Sequence, residues 1–344
     1  MRRTLINLLL ALAAVMVCLI LTEVGLRIYN LARPRSHIEC YESSPIPDLP
    51  HITRANFTRG DFHTNSGRLR DSEIPLDKPA ETLRLAMVGN SMTIGHSVKQ
   101  GELYTEVMER DLKARFQGHP KADVLNAGQL GYSIVHFLPF TREFVYPYHP
   151  DFVVYQFCWN DIEASSLMRV RKVPYQLPKS GPVRLLARHS HLFGNMMRLR
   201  DMSKFARNLL VMYDDSLAVE GFYKDLFAWE DSVRSRGLPF AMVIFPNVLE
   251  VQVPDRYPDL VQELLAKKEK ILERCRQRGL PVLDLTDSLA DNYRRHHKDL
   301  YLDFGHFNAR GHALAAEVIE NWLIRRPEFQ DLVQNSISRN ESIE

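Results

Sequence analysis

The stretch "AMVGNSMTIG", residues 86–95, decides the fold. A run of apolar residues from Leu83 to Val88 stops at Gly89, and Ser91 follows at once. Glycine tolerates unusual dihedrals and serine can cap a helix, so an ordinary strand-to-helix turn explains the pattern. The alternative is a nucleophile lifted out at the carboxyl edge of a parallel sheet, where open α/β folds bind ligands. Choosing between them requires a base, an orienting acid and oxyanion donors elsewhere in the chain.

Short apolar runs of strand length alternate with helix-length segments along the rest of the chain. The predicted strands are 83–88, 122–127, 151–157, 239–245 and 281–285. The predicted helices are 101–116, 133–146, 220–236, 259–278 and, after a loop, 309–324. This alternation predicts an α/β fold with a parallel sheet, right-handed crossovers and helices on both faces.

Composition leaves room for one large domain or two small ones. The chain has 344 residues, 45% of them apolar, and a formal net charge of +2. So small a charge does not indicate a nucleic-acid partner. The spacing of the cysteines shows neither a disulfide framework nor a zinc-type pattern. The four are Cys18, Cys40, Cys158 and Cys275. Their number is compatible with one disulfide bridge and equally with free thiols.

The N-terminus carries the clearest compositional feature. After "MRR", residues 4–22 are uncharged and apolar, about long enough to cross a bilayer core of ~30 Å. A cleaved signal peptide usually has a shorter apolar core and a small-residue cleavage site after it, so we favour an uncleaved single-pass anchor over a signal. Basic residues flank the run on both sides, but a short basic N-terminus normally stays cytoplasmic, which predicts an extracytoplasmic (periplasmic or cell-surface) domain.

A base and an acid occur together near the C-terminus, in "DFGHFNARGHALAAEVI", residues 303–319. Asp303 and His306 lie three residues apart, just before a helix for which Asn308 is a suitable cap. An imidazole base needs a carboxylate on Nδ1, and this short loop supplies both groups. Because the loop follows the fifth strand, we expect it at the same sheet edge as Ser91.

Candidate oxyanion donors follow the second and third strands. Gly128 in "VLNAGQLGYS" would let its backbone N–H approach a ligand, and Asn160 in "QFCWNDI" has an uncharged amide donor. Taken singly, each is better explained as a turn former.

These blocks together resemble the SGNH (GDSL-type) hydrolase family, named for Ser, Gly, Asn and His in four ordered motifs. Here they are "GNS", "NAG", "WND" and "DFGH". The resemblance spans residues 62–325 and includes "TNSGRLRD" at 64–71, similar to the segment before the core of membrane-anchored members. It implies a three-layer α/β/α sandwich with flavodoxin-like strand order 2-1-3-4-5. It also implies a Ser91–His306–Asp303 triad, an oxyanion hole of Ser91 N–H, Gly128 and Asn160, and no metal or cofactor.

Two departures from the family pattern stand beside the expected site. Asn90 replaces the usual aspartate before the nucleophile, which removes a charge and puts local pKa tuning in doubt. Cys158 occupies a place that often holds glycine, and Trp159 next to it is expected to narrow the site. Neither change removes a group that performs chemistry.

The organisation we predict is an anchor and flank at 1–32, a juxtamembrane connector and extension at 33–80, a hydrolase domain at 81–326 and a polar, loosely held tail at 327–344. An insertion at 163–213 carries ten Lys or Arg against two acids and includes a helix near 192–212. Its charge fits either a solvated face or contact with an anionic lipid or glycan surface, which vesicle binding of Gln-substituted variants would distinguish.

Other candidate residues receive structural interpretations. We expect His312 to be structural, His296 and His297 to face solvent, Asp161 to brace its loop and His96 to form a wall of the site.

The function predicted is a serine esterase, as O-deacylase or acyltransferase, acting on an acylated carbohydrate or lipid. The alternative is a non-catalytic envelope protein that keeps the fold for binding or assembly; reactivity with an activated acetyl ester separates the two.

Overall fold

The computed structural model describes residues 2–32, 37–96, 98–162, 190, 207 and 210–338. The chain divides into two compact units. One comprises residues 1–37 and 171–206, and the other comprises 38–170 and 207–344. Most of the basic insertion predicted at 163–213, including most of the helix predicted near 192–212, lies outside the described residues.

The larger unit is built on a parallel sheet of five strands. They are β5 (Thr82–Gly89), β6 (Lys121–Gly128), β7 (Phe152–Phe157), β8 (Phe240–Ile244) and β9 (Val282–Asp284). Their order across the sheet is β6-β5-β7-β8-β9, with every neighbouring pair parallel. This is the 2-1-3-4-5 order predicted, and each strand lies within two residues of its predicted bounds.

Helices connect and cover these strands. In the larger unit they are α2 (Ser91–Ile94), α3 (Tyr104–Arg115), α4 (Ile134–Phe140), α5 (Ser216–Arg234), α6 (Val248–Val251), α7 (Pro258–Arg278), α8 (Thr286–His296), α9 (Ala309–Leu323) and α10 (Pro327–Ser338). Helix α4 continues into a π turn, Thr141–Val145. The predicted helices at 101–116, 220–236, 259–278 and 309–324 correspond to α3, α5, α7 and α9.

The sheet is buried on both faces, so its strands are apolar throughout rather than alternating. On one face, β5 side chains such as Leu85 and Met87 pack in a core with Met108 of α3 and Ile319 of α9. On the other, Trp229 of α5 lies against the rings of Phe137, Tyr155 and Phe240 at 5.0–5.3 Å between centroids. This confirms the three-layer α/β/α architecture.

The extension before the sheet is folded onto the larger unit from Ile38 onward. It contains two small antiparallel pairs: β1 (Tyr41–Glu42) with β2 (Ile52–Thr53), and β3 (Thr58–Arg59) with β4 (Phe62–His63). Cys40, Ile52, Phe62 and Leu69 are almost completely buried. The extension is therefore part of the core's packing.

Two segments differ from expectation. A helix, α8, lies between the fifth strand and the loop that carries Asp303, where only a loop was predicted; its Leu289 is fully buried. The tail expected to be loosely held forms α10 over Pro327–Ser338. Phe329 explains this, because its ring is 1% exposed and belongs to the main core.

The N-terminal helix, α1 (Arg2–Ala32), contains an apolar segment from Arg3 to Ile28. At about 1.5 Å per residue, its 26 residues exceed the ~30 Å of a bilayer core. By length and composition it can be a membrane anchor or a signal sequence.

Candidate active site

The nucleophile candidate lies where β5 gives way to α2. A Cβ on Gly89 would lie 2.3 Å from Thr93 Oγ1 and 2.5 Å from Gln156 Oε1, so glycine is required there by close packing. Asn90 caps the helix, its Oδ1 accepting from Met92 N at 3.1 Å. The cap sets the chain direction, and Ser91 becomes the first helical residue, partly exposed above a buried strand.

A continuous line of hydrogen bonds joins Ser91 to the C-terminal loop. Ser91 Oγ lies 2.9 Å from His306 Nε2. On the other side of the ring, His306 Nδ1 lies 2.9 Å from both carboxylate oxygens of Asp303. Because an ionised carboxylate only accepts, Nδ1 carries the proton and Nε2 is left to accept from the serine hydroxyl.

The loop around Asp303 is itself fixed by backbone bonds. Asp303 Oδ1 accepts from the N–H groups of Gly305 and His306, at 3.1 and 2.9 Å. The carbonyl of Phe304 accepts from Val248 N at 2.9 Å, which ties the loop to the start of α6. Asn308 caps α9, as predicted, by accepting from the N–H groups two and three residues on. The imidazole is therefore held on a rigid support.

This chain matches the family model described as the GDSL-like lipase/acylhydrolase family over residues 87–314, more than half of its length. The chain belongs to that family. Its members are ester-bond hydrolases, so the chain is an esterase or acylhydrolase. The motif blocks quoted above, from "GNS" to "DFGH", fall within the matched residues.

Solved structures show weaker likenesses, and a comparison with curated proteins gives no significant match. A member of the lipolytic G-D-S-L family from Veillonella parvula is 15% identical, covering 71% of this chain and 100% of that one, with a TM-score of 0.42. An acetyl xylan esterase, AlAXEase, is 13% identical, covering 71% of this chain and 100% of that one, with a TM-score of 0.45. A lipase/acylhydrolase from Enterococcus faecalis is 18% identical, covering 70% of this chain and 95% of that one, with a TM-score of 0.41. Membership of the family therefore rests on the match to the family model over residues 87–314, which contains the four motifs.

Two hydrogen-bond donors at or near Ser91 have no protein partner among the described residues. The Ser91 N–H is at the free amino end of α2. The Asn160 amide is held at its oxygen, which lies 2.5 Å from Cys158 Sγ and 3.4 Å from Asn90 Nδ2. With Oδ1 occupied, Nδ2 of Asn160 remains available to a ligand.

Gly128 does not fit its predicted part in the oxyanion hole. Its N–H donates to Asn126 Oδ1 at 3.2 Å, and the residue is buried. A Cβ at this position would lie 2.1 Å from Ile94 N, so glycine is needed because α2 packs directly on β6. The physical reason is a close backbone approach within the fold, rather than an approach to a ligand.

Gly131, three residues further along the same loop, is a further candidate donor that the sequence analysis did not name. It is exposed, has φ +68, and its N–H has no partner among the described residues. The carbonyl of its peptide unit, on Leu130, lies 2.8 Å from His51 Nε2. Because C=O and N–H point in opposite directions in a trans peptide, the Gly131 N–H points away from His51. The one available signal was the second glycine in "NAGQLG".

The two departures from the family pattern meet in one buried cluster. Asn90 Nδ2 donates to Asp161 Oδ1 at 2.7 Å and lies 2.6 Å from Cys158 Sγ. The other Asp161 oxygen accepts from Tyr155 OH at 2.8 Å and Cys158 N at 2.9 Å. Asp161 therefore braces the loop, as predicted, and residue 90 faces that carboxylate as a neutral donor.

Several neighbouring residues are structural. Trp159, expected to narrow the site, is 3% exposed, with its Nε1 bonded to Glu250 at 2.9 Å. His96, expected as a wall, stacks on Phe62 and bonds Tyr41 OH at 2.6 Å beneath the extension. His312 is buried, and its Nδ1 accepts from Tyr104 N at 3.2 Å. His296 and His297 are exposed, as predicted.

All four cysteines are free thiols. Within the described ranges, no group of three or more His, Cys, Asp or Glu side chains could hold a metal ion.

The pKa values of His306 and His312 are shifted in opposite directions. Burial lowers the pKa of His306, but the hydrogen bond and charge of Asp303 raise it by more, so that this pKa lies above its ordinary value. Burial raises the pKa of Asp303, but its bonds to His306 and Gly305 hold it below its usual range. Burial lowers the pKa of His312 to about 3, with Arg70 and His306 adding to the effect, so His312 is neutral at pH 7.

We predict that Asp303→Asn lowers the pKa of His306, measured by NMR titration of its ring protons. The carboxylate stabilises the imidazolium, so removing it leaves burial alone, which favours the neutral ring. Asp299→Asn, an exposed change in the same loop, is the control and should leave this pKa unshifted within a few tenths. An unchanged His306 pKa in Asp303→Asn would show that the carboxylate does not set it.

Proposed function

We propose that this chain is a serine esterase that removes or transfers an acyl group of an acylated carbohydrate or lipid through an acyl-enzyme on Ser91. The observation that carries the proposal is the Ser91–His306–Asp303 line, with 2.9 Å at each contact. A purely binding function would not require a base aimed at a serine hydroxyl. The geometry therefore supports catalysis over the non-catalytic alternative.

The mechanism follows from the atoms in this line. Ser91 Oγ attacks the ester carbonyl carbon while His306 Nε2 takes its proton. Asp303 keeps the imidazole oriented and stabilises its charge. The tetrahedral intermediate collapses, the bond to the leaving alcohol breaks, and His306 returns the proton to that alcohol. Water, or the hydroxyl of another sugar, then attacks the acyl-enzyme by the reverse steps.

The oxyanion needs donors at the same edge of the sheet. We assign this role to the Ser91 N–H and Asn160 Nδ2, and to the Gly131 N–H in place of Gly128. None of these donors has a protein partner in the part of the chain that the structure describes, which supports the assignment, since donors already paired within the fold would be lost to the substrate.

Ser91→Ala should abolish nearly all turnover of a small activated ester while the circular dichroism spectrum is retained. His306→Ala should be comparably damaging, because nucleophile and base act as one unit. Ser72→Ala, an exposed serine outside the site, is the matched control and should keep the wild-type rate. Full activity in Ser91→Ala, or a larger loss in folded His312→Ala than in His306→Ala, would contradict the roles proposed.

Asn160→Ala should lower kcat by roughly 10²–10³ with a much smaller change in KM, since the amide acts mainly in the transition state. Asn160→Asp is the sharper variant. It keeps the oxygen that meets Cys158 but replaces the donor with a negative charge, so it should be at least as damaging. Unchanged kcat in both variants would restrict Asn160 to shaping its turn.

We further propose that α1 is an uncleaved anchor that holds the catalytic domain outside the cytoplasm. Its apolar length and the short basic N-terminus support this orientation. Protease added to spheroplasts should then digest the domain. Protection until lysis would reverse the orientation, and recovery of a soluble chain beginning after residue 22 would reveal a cleaved signal.

A further inference from the structure

Arg70 of the extension is a buried cation aimed at the nucleophile's helix. Its side chain is 1% exposed. Nη1 donates to the carbonyls of Ile94 and Gly95 at 2.6 and 2.5 Å, and Nη2 to that of Val98 at 2.8 Å. Nε donates to Gln100 Oε1 at 3.2 Å. Every nitrogen of the guanidinium is therefore engaged.

No carboxylate of the described residues lies within ion-pair distance of this guanidinium. Instead, the ring of Phe62 covers it at 4.6 Å from the ring centre. Burial lowers the pKa of Arg70 to about 10, although the negative charges of Glu106 and Asp61 act in the opposite direction, and the side chain stays charged at neutral pH. Burying a charge that forms no direct ion pair is unfavourable unless hydrogen bonds compensate it. For Arg70 the compensation comes mainly from carbonyls of residues 94–98, which links this buried charge to the chain that follows Ser91.

Two of the carbonyls that Arg70 binds, those of Ile94 and Gly95, lie at the carboxyl end of the helix on which Ser91 lies, and the third, that of Val98, follows shortly after it. Helix α2 has only four residues, too few to persist without support. Asn90 caps its amino end, and Gly95 closes its carboxyl end in the left-handed region, with φ +62. The guanidinium adds a positive charge where the helix dipole is negative. A displacement of Ile94 and Gly95 would move Ser91, one turn away.

Arg70 is itself held in register with the sheet. Gln100 Nε2 donates back to its carbonyl at 3.3 Å. The next residue, Asp71, accepts from Asn126 N of β6 at 3.1 Å. The segment thus joins α2 to β6 from outside the sheet.

We propose that Arg70 is a positioning residue for the ester reaction: it clamps the carboxyl end of α2 and so holds Ser91 Oγ against His306 Nε2. The proposal rests on the function proposed for Ser91. Arg70 touches no reacting atom. Its place in the extension makes residues outside the five-stranded sheet a working part of the active site.

The test compares Arg70→Met and Arg70→Lys in the full chain, with rates normalised to the sites titrated by a serine-directed phosphonate. Arg70→Met should lower kcat on the order of 10²-fold, the scale of a 1 Å misplacement. Arg70→Lys should lose less, because it keeps the charge but not the forked contacts. KM should change by less than about threefold, and phosphonate labelling of Ser91 should slow in parallel with kcat.

Arg84→Met is the matched control. Arg84 is equally buried and also binds carbonyls, those of Tyr148 and Pro75 at 2.6 and 3.1 Å, but toward the amino end of β5. Unlike Arg70 it also pairs with a carboxylate, Asp123 Oδ2, at 2.8 Å, so its replacement should cost at least as much stability. Its loss should lower the unfolding midpoint and leave kcat per titrated site within about twofold. If Arg70→Met lowers the midpoint similarly and also keeps kcat, Arg70 is merely structural and the proposal is wrong.

If Arg70→Met does not fold, the positioning role is tested with Arg70→Lys and Gln100→Ala instead. Both loosen the clamp, and unchanged kcat and labelling in both would overturn the proposal. Absence of ester turnover and of Ser91 labelling in the wild type would instead overturn the proposed function, and the positioning role with it.

Discussion

The backbone of α2 lies directly on β6, so closely that a Cβ on Gly128 would be 2.1 Å from Ile94 N. This contact fixes the height of Ser91 above the sheet. A second one, between Gly89 and the side chain of Gln156, fixes the turn that leads to it. A serine that must meet an imidazole from the far end of the chain needs such fixed points, because no local bond holds the pair together.

The partner loop is fixed in the same way from the other side. Parallel strands bring their carboxyl ends to one edge, which places loops distant in sequence next to each other. The loop of Asp303 is tied to α6 through Phe304 and to α9 through Asn308. The extension then closes the arrangement, with Arg70 on α2 and His51 on the loop of Gly131. The geometry of the proposed catalytic site thus depends on the assembled layers.

Much of this was readable from the sequence, because buried parallel strands are continuous apolar runs and because Asp303 and His306 share one loop. The remainder depends on tertiary contact. Gly128 and Gly131 cannot be told apart by sequence, since both are glycines in one loop. The structure separates them: α2 packs on Gly128, whereas the Gly131 N–H has no partner within the described ranges. Arg70 lies in a polar segment, and such a composition predicts solvent exposure. The side chain is buried because it binds backbone carbonyls that are distant in sequence. Helix α8 was missed because Leu289 is among its few buried positions.

A crystal structure of the phosphonate adduct would show which residue is the nucleophile. We expect a covalent bond from Ser91 Oγ to phosphorus. We also expect a phosphonyl oxygen at about 2.7–3.1 Å from the Ser91 N–H, Asn160 Nδ2 and the Gly131 N–H. Attachment to another residue would contradict the nucleophile. A phosphonyl oxygen turned away from Asn160 and Gly131 would contradict the oxyanion hole while leaving the serine in place.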